Sequence, residues 1–249
     1  LTVESSDAEI FDGTVYRFYV NMQNPTDRMS AVFGNNEKPL ILEAIEGVYN
    51  NSFNSSWSAS GINPMFLPMF PEMVDDTYAT IGLDGPAATS GILGAEDPSI
   101  VEDATQPISP FFINNSATSL VSNTFTGSSY YVLNTAANGL PDGDMRVLVM
   151  QVTTSGSISG TINYQVFPLG VGANQVQVSV DFDGAGTFGG SGTSGENCGC
   201  MDVDACNYNI AAIYDDGSCT YITEGACDCD GNQLDALGVC GGDCAADAD

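Results

Sequence analysis

The chain has 249 residues, with 32 Asp and Glu against 4 Lys and Arg, a formal charge of −28, and no histidine. Such a polyanion excludes nucleic acid as a partner, because that affinity rests on cationic contacts to phosphate, and it excludes charge-driven adhesion to anionic lipid. Lack of histidine excludes the usual Ser-His and Cys-His nucleophilic pairs.

In chain order, the first strong signal is Tyr16, Phe18, Val20 and Met22 alternating with Arg17, Tyr19 and Asn21. This period of two predicts a half-buried strand. Residues 40–48 are the only stretch where a short helix competes. A polar, Asn-rich segment follows, holding Trp57, the sole tryptophan. An exposed Trp57 would stack on a sugar ring, whereas a core tryptophan is the ordinary reading and the favoured one. Residues 62–71 are apolar and broken by Pro64, Pro68 and Pro71. They fit neither a regular helix nor a central strand, and are expected to cover the core rather than contact a partner.

Further strands are expected at 78–83, 129–133, 146–152, 161–167 and 176–182, the last being the cleanest alternation in the chain. Ser and Gly at 154–160 predict a hairpin turn. Asp181 and Asp183 end the last strand, as an Asp-Gly turn or a calcium site. Asp75-Asp76 and Glu102-Asp103 are adjacent carboxylate pairs, and a hydrolase using only carboxylates is the least favoured reading. Asn50, Asn54 and Asn114 lie in N-x-S sequons. Many short strands with irregular connections predict an all-β fold, an antiparallel, jelly-roll-like β-sandwich over 1–183. A Gly/Ser-rich linker is expected over 184–197, followed by a small Cys/Asp-rich module over 198–249. No segment is apolar enough to insert in a membrane.

All eight cysteines fall in that module: Cys198, Cys200, Cys206, Cys219, Cys227, Cys229, Cys240 and Cys244. An even count in about 50 residues with few large apolar side chains points to disulfides and an oxidising compartment. Zinc is the rival, but zinc modules favour C-x2-C pairs and histidine, and this chain has C-x-C and none. From Cys198 onward there are 11 acids and no base. Asp202, Asp204, Asp215, Asp216, Asp228, Asp230, Asp235 and Asp243 are set between the cysteines. Carboxylates at alternate loop positions before glycine suit Ca²⁺, which takes six to eight oxygens; an acidic solvated linker is the alternative.

The runs Gly199-Cys-Met-Asp-Val-Asp-Ala-Cys-Asn-Tyr-Asn209 and Asp215-Asp-Gly-Ser-Cys219 resemble a Cys/Asp repeat of secreted proteins of marine Bacteroidota. Cys227-Asp-Cys-Asp-Gly-Asn232 and Gly238-Val-Cys-Gly-Gly-Asp-Cys244 are similar to thrombospondin type 3 calcium repeats. More loosely, residues 15–20, 27–34 and 76–82 resemble an uncharacterised β domain of the same secreted proteins. The resemblance implies a secreted or cell-surface protein with calcium-stabilised repeats, and the natural polypeptide is expected to continue past Asp249.

The expectation is therefore a non-enzymatic extracellular structural or adhesive protein, a subunit of a surface filament or layer. Its partners would be other copies of itself or other cell-surface proteins. The alternative is a carbohydrate-binding module with glycan partners.

Overall fold

The computed structural model describes residues 1–189, 191–193, 198–209, 214–215 and 218–242. The chain divides into two compact units, Leu1–Ser194 and Gly195–Asp249.

The first unit is all-β, its strands joined by loops and 3-10 turns, with no α-helix among the described residues. Its strands are β1 (Thr2–Asp7), β2 (Thr14–Asn21), β3 (Arg28–Gly34), β4 (Leu40–Ala44), β5 (Tyr78–Ala79), β6 (Ser99–Val101) and β7 (Ser119–Ser122). They continue with β8 (Ser128–Tyr131), β9 (Arg146–Thr154), β10 (Ile158–Phe167), β11 (Val176–Asp183), β12 (Gly186–Thr187) and β13 (Ser191–Thr193). One antiparallel sheet runs β12-β1-β2-β9-β5. The other runs β13-β11-β10-β3-β8-β6, with β4 and β7 joined through the first half of β10.

The two sheets form a sandwich. Phe18 on β2 meets Phe182 on β11 edge to face, 5.1 Å between centroids. The Tyr130 hydroxyl on β8 donates to the Val149 carbonyl on β9 at 2.9 Å, so a hydrogen bond crosses the core. Phe18, Val20, Val149, Val152, Ile162, Val166 and Val176 are fully buried. Tyr130→Phe should remove about 1 kcal/mol, read as a fall of roughly 2–4 °C in the melting midpoint. The loss stays small because the Val149 carbonyl still accepts from the Thr80 amide.

Three expectations are revised. Residues 154–160 make no hairpin: β9 and β10 lie in different sheets, and residues 155–157 carry the chain across. β9 already has β2 and β5 on its two edges, which leaves no edge for β10. The helix competing at 40–48 gives way to β4, paired on both sides by β10 and β7. Part of the expected linker enters the sheets, because β12 pairs β1 and β13 pairs β11. Small residues suffice there, since an edge strand is held by backbone hydrogen bonds.

Candidate functional site

On the face of the first sheet turned from the core, Glu4, Arg17, Gln151 and Tyr78 lie side by side across β1, β2, β9 and β5. Alternation on β2 buries Phe18 and sends Arg17 and Tyr19 to this outer face. A register shift between Phe18 and Tyr19 sets Leu148 opposite Tyr19. Such a bulge re-aims side chains. The result is an open cleft of about 520 Å³ floored by Arg17, Tyr19 and Leu148. A second hollow of about 230 Å³ continues beyond it, and both are lined by Arg17 and Asp84.

Two of the chain's four basic residues meet here. The Arg146 guanidinium lies over the Tyr19 ring at 4.0 Å, and Arg17 approaches the same ring at 5.9 Å. Burial raises the Tyr19 pKa, against the pull of both arginines. Arg146 is held by Glu4, by Asp142 at 3.7 Å and by Asp144 at 3.8 Å. Asp142 also accepts the amides of Asp144 and Arg146, closing the turn that presents Arg146. Met145 in that turn has φ +59°, an unusual conformation for a residue other than glycine. Arg17 is far less satisfied. Among the described residues its ionic partner is Asp84 at 3.8 Å, whose side chain is 77% exposed, and the buried Nε atoms of both Arg17 and Arg146 have no hydrogen-bond partner. A buried donor without a partner calls for an explanation.

The far wall is built by Asn138, 2% exposed. Its Nδ2 donates to the carbonyls of Ile81 and Glu96, and its Oδ1 accepts the Glu96 amide. Gly82, at φ +68°, packs directly on the Asn138 carbonyl, leaving no room for a Cβ. Asn138→Ala should cost about 3 kcal/mol by leaving buried backbone groups unpaired. Chemical denaturation would show the loss, and faster protease cleavage within 82–96 would locate it.

The sequence-predicted residues lie elsewhere. Trp57 is half-buried and tilted against buried Tyr130 at 6.1 Å, so it packs on the core. Asp181 and Asp183 are exposed at the end of β11, and Asp181 accepts from the Thr161 hydroxyl at 2.6 Å. Within 62–71, Ile62 is buried and Leu67 and Phe70 pack beside it, whereas Met65, Phe66 and Met69 are exposed. Phe70 also stacks on exposed Phe53 at 3.9 Å. Asn50 and Asn54 are buried; only the Asn114 sequon is exposed.

The second unit contains β14 (Cys198–Gly199) and β15 (Tyr214–Asp215), paired in parallel. Disulfides join Cys200–Cys219, Cys206–Cys229 and Cys227–Cys240. Asp216, Asp243 and Cys244 lie outside the described residues, as do the side chains of Cys198 and Asp215. Asp202 accepts from the Asp204 amide and the Tyr221 hydroxyl. Asp228 accepts the amides of Asp230 and Asn232 and the Asn232 side chain. Those contacts lower the pKa of both Asp202 and Asp228. Asp235 accepts the amides of Leu237 and Val239. These carboxylates therefore close their own loops. Among the described residues, the group of metal-ligand atoms brought together is Cys227, Asp228 and Cys240, whose two sulfurs are joined in a disulfide. Two disulfide sulfurs and one carboxylate do not by themselves make up the oxygen shell of a calcium ion.

No protein-family model, curated protein or solved structure matches the chain.

Sequence reasoning also missed how the acidic pairs are used. Asp75 is buried and accepts three successive amides, Glu9, Ile10 and Phe11, at 2.7–2.9 Å. Asp76 is buried beside it, accepting the Asn51 amide and the Asn54 side chain, both at 2.6 Å. Glu102 accepts the Ile108 and Ser109 amides and the Ser109 hydroxyl. Hydroxyls of Thr124 and Thr105 hold Asp103 down to about 2. Both pairs are loop staples. The density of Asn around 50–54, next in space to the Asp pair, is the only trace of this in the sequence.

Proposed function

We propose that the chain is a non-enzymatic structural or adhesive protein of the extracellular space, a β-sandwich joined to a cross-linked acidic module. The observation that carries this reading is the set of three disulfides in a unit whose described residues bury little beyond Cys200 and Ala205. Cross-links in place of a core suit an oxidising compartment, and no described helix is long and apolar enough to cross a membrane. Electron microscopy and size exclusion of the oxidised chain test it, together with retention on cell-surface preparations. A monomer that adheres to nothing would overturn it.

Calcium enters the proposal on charge alone, because the 11 acids after residue 197 face no base in their own module. EDTA should make the module more sensitive to protease. Unchanged digestion would remove calcium from the proposal.

The groove on the first sheet favours a second reading, carbohydrate binding. It offers side-chain donors and acceptors on a floor of packed residues.

A further inference from the structure

We propose that the groove across β2, β9 and β5 binds an uncharged polysaccharide chain, gripped at the Arg17–Asp84 pair. The inference rests on the carbohydrate-binding reading and supplies its site and ligand class.

The shape comes first. The two hollows share Arg17 and Asp84, so the pair stands where they adjoin. The larger hollow falls within the ~300–1,000 Å³ usual for small-ligand sites, and the second lengthens it. A long open groove suits a chain of units better than a compact molecule.

Charge comes next. The groove is lined by two arginines and two aspartates, Arg17, Arg146, Asp84 and Asp142, and is locally neutral. Glu4 and Asp144 stand just outside on Arg146, and the whole chain is at −28. A polyanion would have to approach against that field, and Arg17, the less engaged arginine, stands beside the carboxylate of Asp84. A polycation would meet both guanidiniums.

Hydrogen-bond chemistry then selects among neutral ligands. Arg17 offers donors only and Asp84 acceptors only, 3.8 Å apart. Neighbouring sugar hydroxyls, each able to give and to take a proton, satisfy such a pair together. Leu83, Ile92 and Leu140 supply apolar surface for the C–H faces of the rings. Arg17, with one ion pair among the described residues against three for Arg146, is the guanidinium with more of its donors left for a ligand. A peptide strand is the weaker candidate, since strand addition needs a free sheet edge. Here β2 and β9 are paired on both sides, and the edge strand β5 is covered at Ala79 by a bridge to Ser58.

The test is native affinity electrophoresis of the full oxidised chain through gels containing laminarin, galactomannan or xyloglucan, with alginate and dextran sulfate as anionic counterparts. At least one neutral polymer should retard the chain, and the anionic ones should not. Arg17→Ala and Asp84→Ala should each weaken that retardation at least tenfold. Asp84 is exposed, so its removal leaves the fold intact, and an unchanged melting curve verifies this. Absence of retardation by every neutral polymer, stronger retardation by the anionic ones, or full binding by Asp84→Ala would overturn the proposal. A chain that fails here but still assembles or adheres loses the groove ligand and keeps the structural reading. One that binds a neutral polymer but neither assembles nor adheres to cell-surface preparations loses the structural reading alone.

Discussion

Reduction with dithiothreitol is expected to unfold the C-terminal module while the sandwich keeps its melting transition. The three disulfides bridge sequence separations of 19, 23 and 13 residues. Closing loops of this length removes chain entropy worth about 3 kcal/mol each from the unfolded state. Among the described residues, little else holds the module. Leu234, Leu237 and Val239 are all more than half exposed, and most of the described side chains lie at the surface. The Cys200–Cys219 and Cys206–Cys229 loops interleave, so loss of either frees a long stretch of chain. Cys206→Ser should therefore reproduce much of the effect of full reduction. Limited proteolysis read by mass spectrometry checks both. After reduction, cuts should cluster beyond residue 198, while Trp57 fluorescence, which reports the sandwich, melts where it did before. A reduced module that resists protease would show that its stability comes from elsewhere.

Strands with strict alternation were legible in the sequence because side-chain period and burial coincide in them. Val176 to Phe182 is the clearest case, and β11 covers it. The break between Ile81 and β5, which is only two residues long, was not legible. Beyond Ala79 the chain still bonds to β9 through the Thr80 and Gly82 amides, while Ile81 and Gly82 pack on Asn138 to build the groove wall. Neither Gly82 nor Asn138 carries a local signal, since their meeting joins positions more than fifty residues apart. The crossing after Thr154 was hidden for a similar reason. Turn chemistry says that the chain bends, and not which sheet receives it.

The groove itself was half legible. Arg17 and Arg146 stood out as two of only four bases, but nothing local says that β2 and β9 are neighbours. Trp57 drew attention as the lone tryptophan, yet a large aromatic is as useful to a core as to a sugar, and Tyr130 takes one side of it. In the cysteine-rich unit, the spacing announced cross-links, and three are present among the described residues. Aspartates two apart read equally well as cation ligands or as caps for tight loops. Asp228 and Asp235 cap their own loops, accepting amides two and four residues on.

The stability of the sandwich should fall as pH rises from about 4 to about 7, and Asp76→Asn should remove much of that slope. Burial pushes the Asp76 carboxyl from 3.8 up to about 7, despite hydrogen bonds from the Asn51 amide, the Asn54 side chain and the Thr77 amide. A carboxyl with a raised native pKa binds its proton more tightly in the folded state than in the unfolded one. Between the two pKa values folding takes up a proton, so stability declines with pH across that window and levels off above it. At about 1.4 kcal/mol per pKa unit, the penalty for an ionised Asp76 at pH 8 amounts to a few kcal/mol. The general self-repulsion of the acidic chain slopes in the same direction, so the informative quantity is the difference between proteins. Urea denaturation at pH 5 and pH 8 should show a larger drop for the wild type than for Asp76→Asn. The variant should gain most at pH 8, where the wild-type carboxylate is charged inside the loop. Equal slopes would mean that the Asn51 and Asn54 donors hold the Asp76 carboxylate ionised throughout, and that the pH response is carried by the surface alone.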